Sequence, residues 1–142
     1  MKNKTIWSIL VLAGFGLADS IYLFIYKLSN NTAMCLGNGG CATVNVSRYS
    51  ELYGIPVSLL GIFAYLAIII LLLLELRNFV SEDVSILLVF GVSLVGILFS
   101  AYLTYIEYFV IYAVCPFCVA SAVITTILFI LSSIRLVRNL NR

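Results

Sequence analysis

There is no histidine in this chain, and charged residues make up only 10% of its 142 residues. Without histidine there is no imidazole base and no histidine ligand for haem or metal. With only two methionines as well, the four cysteines are left as the groups suited to redox or soft-ligand chemistry. No Gly-x-Gly-x-x-Gly follows a strand, so the chain carries no dinucleotide fingerprint. The shortage of charge has its own consequence. With 63% hydrophobic residues and a mean hydropathy of +1.17, the chain holds more apolar surface than a soluble domain of this length could bury. A net charge of +2, scattered along the sequence, gives nucleic acid nothing to bind.

What is present reads as an integral membrane protein, all-α, forming one membrane domain over residues 1–142. Four apolar runs are long enough to cross a bilayer: Ile6–Tyr26, Ile55–Leu74, Val84–Tyr105 and Pro116–Ile134. The first resembles a signal peptide only superficially, because it is too long and carries Asp19. The second and fourth open with a proline in the first turn, Pro56 and Pro116. Gly91 and Gly96 in the third allow close helix packing. Residues 27–54 form a long polar loop in which Val46, Tyr49 and Tyr53 have the spacing of a short interfacial helix over Thr43–Tyr53. Repeats, low-complexity segments and a soluble domain are not evident in the sequence.

Lys2, Lys4, Arg77, Arg135, Arg138 and Arg142 fall on one side of the predicted bundle, against Lys27 and Arg48 on the other. The positive-inside rule then puts both termini in the cytoplasm. Eight tyrosines (Tyr22, Tyr26, Tyr49, Tyr53, Tyr102, Tyr105, Tyr108 and Tyr112) fall near the outer boundary, as in an interfacial aromatic belt, and Trp7 marks the inner one.

This topology puts all four cysteines outside the cytoplasm, where disulfides form and persist. Cys35 and Cys41 flank Leu36-Gly-Asn-Gly-Gly40, a glycine-rich stretch that lets the pair reach a partner and swing back. Cys115-Pro-Phe-Cys118 opens the last helix, where orphan N–H groups and the helix dipole favour a thiolate. The spacing predicts Cys115 as the more exposed sulfur, with Cys118 a turn deeper. A mobile pair and an anchored pair suit a thiol–disulfide relay, since exchange runs through mixed disulfides. Two static disulfides or a four-cysteine zinc site are the alternatives. The five residues between Cys35 and Cys41 are loose for a zinc knuckle, and a disulfide closing so short a loop gains little. A membrane relay needs a terminal acceptor, and a lipid-soluble quinone requires neither histidine nor a nucleotide fold. Entering between helices it would meet Cys118, with Cys115 completing the disulfide.

The residues Cys35, Cys41-Ala-Thr-Val-Asn-Val-Ser47 through Gly61, and Ala113-Val-Cys-Pro-Phe-Cys118 resemble the vitamin K epoxide reductase family in its prokaryotic form. With the helix order, the resemblance covers essentially the whole chain. It implies a four-helix membrane bundle around a quinone. It further implies that Cys35 exchanges with a thioredoxin-like protein, that Cys41 passes electrons to Cys115, that Cys118 meets the quinone, and that Ser47 lies near it. Many bacterial members carry a fused thioredoxin-like domain. This sequence stops after the last helix, so the carrier is expected to be a separate protein. Ala122 stands where vertebrate members have a tyrosine, which implies a respiratory quinone of the ubiquinone or menaquinone type rather than vitamin K epoxide. The unrelated bacterial quinone reductase that generates disulfides has its cysteine pairs in the reverse order.

The sequence therefore predicts a quinone-dependent protein thiol oxidase that supports disulfide formation in exported proteins. The alternatives are a quinone-epoxide reductase or a disulfide-stapled membrane protein with an interaction role. Two acidic residues need a place. Asp19 inside the first span is either functional or a hydrogen-bonding cap. Glu107 is expected at the solvated outer boundary, in a structural role.

Overall fold

The computed structural model of the chain describes residues 2–29, Thr43, Arg48 and residues 51–142. Four helices alternate in direction: α1 (Lys2–Ser29), α2 (Val57–Leu76), α3 (Glu82–Ile106) and α4 (Pro116–Leu140). All four are long and apolar enough to cross a membrane. The protein is a multi-pass membrane bundle, as the hydropathy pattern predicts. Short links between α2 and α3 and between α3 and α4 make consecutive helices antiparallel neighbours.

The helices interlock where small residues let backbones approach. Gly16 of α1 lies against the Tyr65 ring of α2, leaving no room for a Cβ. A Cβ on Gly61 would sit 2.8 Å from Ser20 Oγ, so α1 and α2 meet closely at a second level. Between α3 and α4, a Cβ on Gly96 would come within 3.1 Å of Thr125 Cγ2, and Ser93 Oγ lies 2.9 Å from Ser132 Oγ. Gly91, expected at a close contact, instead has open space beside it and borders a cavity. The packed interior includes Ile6, Ile9 and Ala13 of α1, Tyr65, Ile68 and Leu72 of α2, Val89 of α3 and Leu128 of α4. Trp7, Phe15, Phe63 and Leu98 face outward, the inverted arrangement that lipid as solvent permits.

Helix ends differ from the hydropathy boundaries for identifiable reasons. Pro56 is the N-cap of α2 rather than part of its first turn. It belongs to a small antiparallel hairpin, β1 (Glu51–Leu52) with β2 (Ile55–Pro56). Tyr53 and Gly54 both take positive φ in the turn, 53° and 83°, as a two-residue hairpin with the twist of its strands requires. Residues 51–53, placed at the end of an interfacial helix by their spacing, are therefore strand and turn. The rest of that predicted helix, apart from Thr43 and Arg48, lies outside the described residues. An ion pair of 3.1 Å between Lys27 Nζ and Glu51 Oε1 ties the hairpin to α1.

The fourth helix runs six residues past its predicted end at Ile134. Arg135 is responsible: its guanidinium meets Glu75 Oε1 at 2.6 Å, and Ser85 Oγ donates to Glu75 Oε2 at 2.7 Å. Neutralised in this way, a cation that hydropathy reads as the start of a tail stays buried within the helix. Nearby, Asn139 Nδ2 donates to Asp83 Oδ1 at 2.7 Å, and Arg142 approaches Glu82 at 3.8 Å. The start of α3 and the end of α4 thus share one end of the bundle.

Candidate redox site

At the other end, α3 does not stop at Ile106 but continues as a π-helical turn, Glu107–Ile111. The turn ends at Tyr112 in a left-handed conformation, φ 55°, with the Ala113 N–H bonded back to the Glu107 carbonyl at 3.2 Å. Single π turns in long helices frequently mark functional sites. This one has a definite effect, because Glu107 is turned into the bundle and only 3% exposed. Glu107, expected at the solvated boundary, is thus corrected to an inward-facing position. The local composition, with the exposed aromatics Tyr108, Phe109 and Tyr112 following it, conceals this inward-facing position.

Four residues later Cys115 caps α4 in an extended conformation, Pro116 takes the first helical position, and Cys118 lies within the first turn. Both thiols are unbridged and hydrogen-bonded to each other. The expected order of exposure is reversed. Cys115 is fully buried and Cys118 is half-buried, because α1 lays Leu23 and Tyr26 over the Cys115 sulfur. Phe117 packs into the same cluster, its ring 4.7 Å from that of Tyr22. Tyr22 and Tyr26 therefore serve the cysteine cluster, while Tyr102, Tyr105, Tyr108 and Tyr112 are exposed as an interfacial belt would be.

The Cys118 thiol and the first-turn N–H groups of Phe117 and Cys118 face the Cys115 sulfur. Together they hold its pKa below the ordinary thiol range against the opposing effect of burial. Of the two sulfurs, Cys115 is therefore the one whose ionisation the site favours. The Cys118 proton has two acceptors in reach, the Cys115 sulfur and the Glu107 carboxylate. Glu107 also accepts the backbone N–H of Cys115, so one carboxylate touches both halves of the pair.

Cys118 and Glu107 border a cavity of about 720 Å³ that Cys115 does not reach. Its walls are aliphatic apart from a few polar groups, and its size is that of a site for a ligand with a flat ring and a short apolar tail. On one wall Tyr65 Oη lies 3.0 Å from Ser121 Oγ and 3.0 Å from Thr125 Oγ1. Ser121 and Thr125 follow Cys118 by three and seven residues, the helical spacing that places all three on one face. That spacing was legible in the sequence, whereas Tyr65 in the middle of an apolar span gave no signal. Ala122 also lines the cavity, so its side chain determines how much room a ligand has there. An apolar slot with the Cys118 thiol and a hydroxyl cluster on its walls fits a quinone ring, which needs hydrogen bonds at its oxygens and apolar contact elsewhere.

One buried carboxylate oxygen of Asp19 has no hydrogen-bond partner among the described residues. Cys35, Cys41 and Ser47 lie outside the described residues. The structure therefore brings together Cys115 and Cys118 among the predicted site residues, and adds Glu107 and the Tyr65 cluster. A family model described as the vitamin K epoxide reductase family matches residues 7–133, spanning all but the two ends of the chain. With the bundle, the paired thiols and the cavity beside them, this chain belongs to the vitamin K epoxide reductase family of membrane oxidoreductases.

Proposed function

We propose that this protein is a thiol oxidase that passes electrons from a separate thioredoxin-like protein to a quinone of the ubiquinone or menaquinone type. In doing so it sustains disulfide formation in exported proteins. The observation that carries the reading is the division of labour within the Cys115–Cys118 pair. Cys118 opens onto the apolar cavity, while Cys115 lies behind it with its pKa lowered.

The relay begins when the carrier's thiolate attacks the Cys35–Cys41 disulfide at Cys35. The carrier's second thiol resolves the carrier–Cys35 mixed disulfide, so the carrier leaves oxidised and Cys35 and Cys41 are both reduced. Cys41 then attacks the Cys115–Cys118 disulfide at Cys115, releasing Cys118, and Cys35 resolves the Cys41–Cys115 mixed disulfide. Cys115 leaves as the thiolate. A thiol of lowered pKa leaves faster, which suits Cys115 to that position. The reduced Cys115–Cys118 pair then faces the cavity through Cys118. A quinone bound there supplies the two-electron acceptor. Ser47 borders the quinone in this reading. Both termini are cytoplasmic and both cysteine pairs extracytoplasmic, supported by the placement of the basic residues.

Replacing Cys41 with alanine tests the relay. Cys35 then has no resolving partner, and its attack on the disulfide of an oxidised thioredoxin-like carrier is expected to leave a mixed disulfide that accumulates on non-reducing gels. A Cys41→Ala protein that forms no such adduct, with only a loss of stability, would mean that the loop pair is a staple.

A further inference from the structure

The π-helical turn points a carboxylate at the cysteine pair, and the relay as described gives it no task. Glu107 is 3% exposed, lines the cavity beside Cys118, accepts a hydrogen bond from the Cys118 thiol and accepts the Cys115 N–H. A buried carboxylate is expensive, and several neighbouring residues (Tyr108, Phe109, Val110 and Tyr112) are exposed and could have carried the acid at no cost. Among the described residues no lysine or arginine lines the cavity, and the other titratable groups on its walls are Cys118 and Tyr65. An acid held next to a thiol that must lose its proton, in a chain with no histidine, is placed as a base.

We infer that Glu107 is the catalytic base of the quinone-reducing step, taking the Cys118 proton as the sulfur reacts and delivering it into the cavity. The inference rests on the proposed oxidase reading. Oxidation of the pair forms the Cys115–Cys118 bond and releases two electrons and two protons overall. The electrons pass to the quinone. One proton reaches it through Glu107. The other comes from water and replaces the one that Cys115 has already given up as a thiolate. The products are the disulfide and a hydroquinone, and the carboxylate is regenerated. Without Glu107 the acceptor left to the Cys118 proton among the described residues is the Cys115 sulfur, which must itself stay a thiolate to close the disulfide.

A charge that merely sat nearby would act oppositely. It would oppose formation of a Cys118 thiolate, and its removal would speed the reaction. The two cases separate in a measurement that needs no quinone. In full-length protein carrying Cys35→Ala, Cys41→Ala and Cys115→Ala, Cys118 is the sole thiol, and its rate of alkylation by N-ethylmaleimide is followed against pH. A proton shared between sulfur and carboxylate gives a thiolate fraction independent of pH on the acid side of the ordinary thiol pKa, so the rate is flat there. Adding Glu107→Gln should restore a rise of about tenfold per pH unit. A tenfold rise per unit already present in the protein that retains Glu107 would overturn the inference, and this arm does not depend on how the glutamine variant folds.

The second arm is a single turnover of pre-reduced protein with a short-chain ubiquinone. Glu107→Gln should slow quinone reduction by about 100-fold or more, the scale of general-base catalysis, with partial recovery in Glu107→Asp. Glu107→Gln reacting as fast as wild type, or faster, would also overturn it. If the wild type reduces no quinone, it is the oxidase reading that fails, and the alkylation profile still reports whether sulfur and carboxylate share the proton.

Discussion

Arg135 Nη2 lies 2.6 Å from Glu75 Oε1, with the two side chains 7% and 5% exposed, at the end of the bundle opposite Cys115 and Cys118. The pair joins the last turn of α2 to the C-terminal part of α4, and Ser85 of α3 completes it. Breaking one half of such a pair leaves a buried charge alone. Glu75→Gln or Arg135→Met is expected to cost about 3–5 kcal/mol, and the double variant clearly less than the sum. Denaturant unfolding of the four proteins in one detergent gives the coupling, and additive losses would contradict it.

Gly16 and Gly14 make a matched comparison on α1. A Cβ at Gly16 overlaps the Tyr65 ring, whereas at Gly14 it meets nothing within 4 Å. Gly16→Ala should destabilise the bundle by about 1–3 kcal/mol and displace Tyr65 from Ser121 and Thr125. Gly14→Ala should be neutral or stabilising by up to about 1 kcal/mol. Equal effects in thermal unfolding would show that α1 and α2 do not meet as described.

The lowered pKa of Cys115 makes the stability of the reduced protein depend on pH. Folding favours its thiolate, so the contribution is complete above the ordinary thiol value of about 8.5 and is lost as pH falls through the folded value. Reduced wild type should therefore gain stability as pH rises through that window, and Cys115→Ser should lose that gain. Cys118→Ala, which removes the thiol donating to Cys115, should shrink it. An unchanged pH profile in Cys115→Ser would assign the effect to other groups.

The four spans were legible because lipid demands long uninterrupted apolar runs, and these survive any detail of packing. The cysteine pair was legible from its spacing and from Pro116 at a helix start. Other features depended on rotation about a helix axis, which hydropathy does not report. A π turn brings Glu107 inward from among exposed aromatics, and α1 buries Cys115 by contacts from a distant stretch of sequence. Arg135 read as part of a basic tail because its partner, Glu75, is sixty residues away. Tyr65 looked like one more apolar position, although its hydroxyl anchors the polar patch of the cavity.

The account stands or falls on Cys118 as the sulfur that delivers electrons to the cavity. The direct measurement is stopped-flow absorbance of a quinone mixed with wild-type protein and a reduced thioredoxin-like protein, set against Cys118→Ala. Quinone reduction by the wild type that is lost in Cys118→Ala is the predicted result. Equal reduction by Cys118→Ala, or none by the wild type with either ubiquinone or menaquinone, would contradict it.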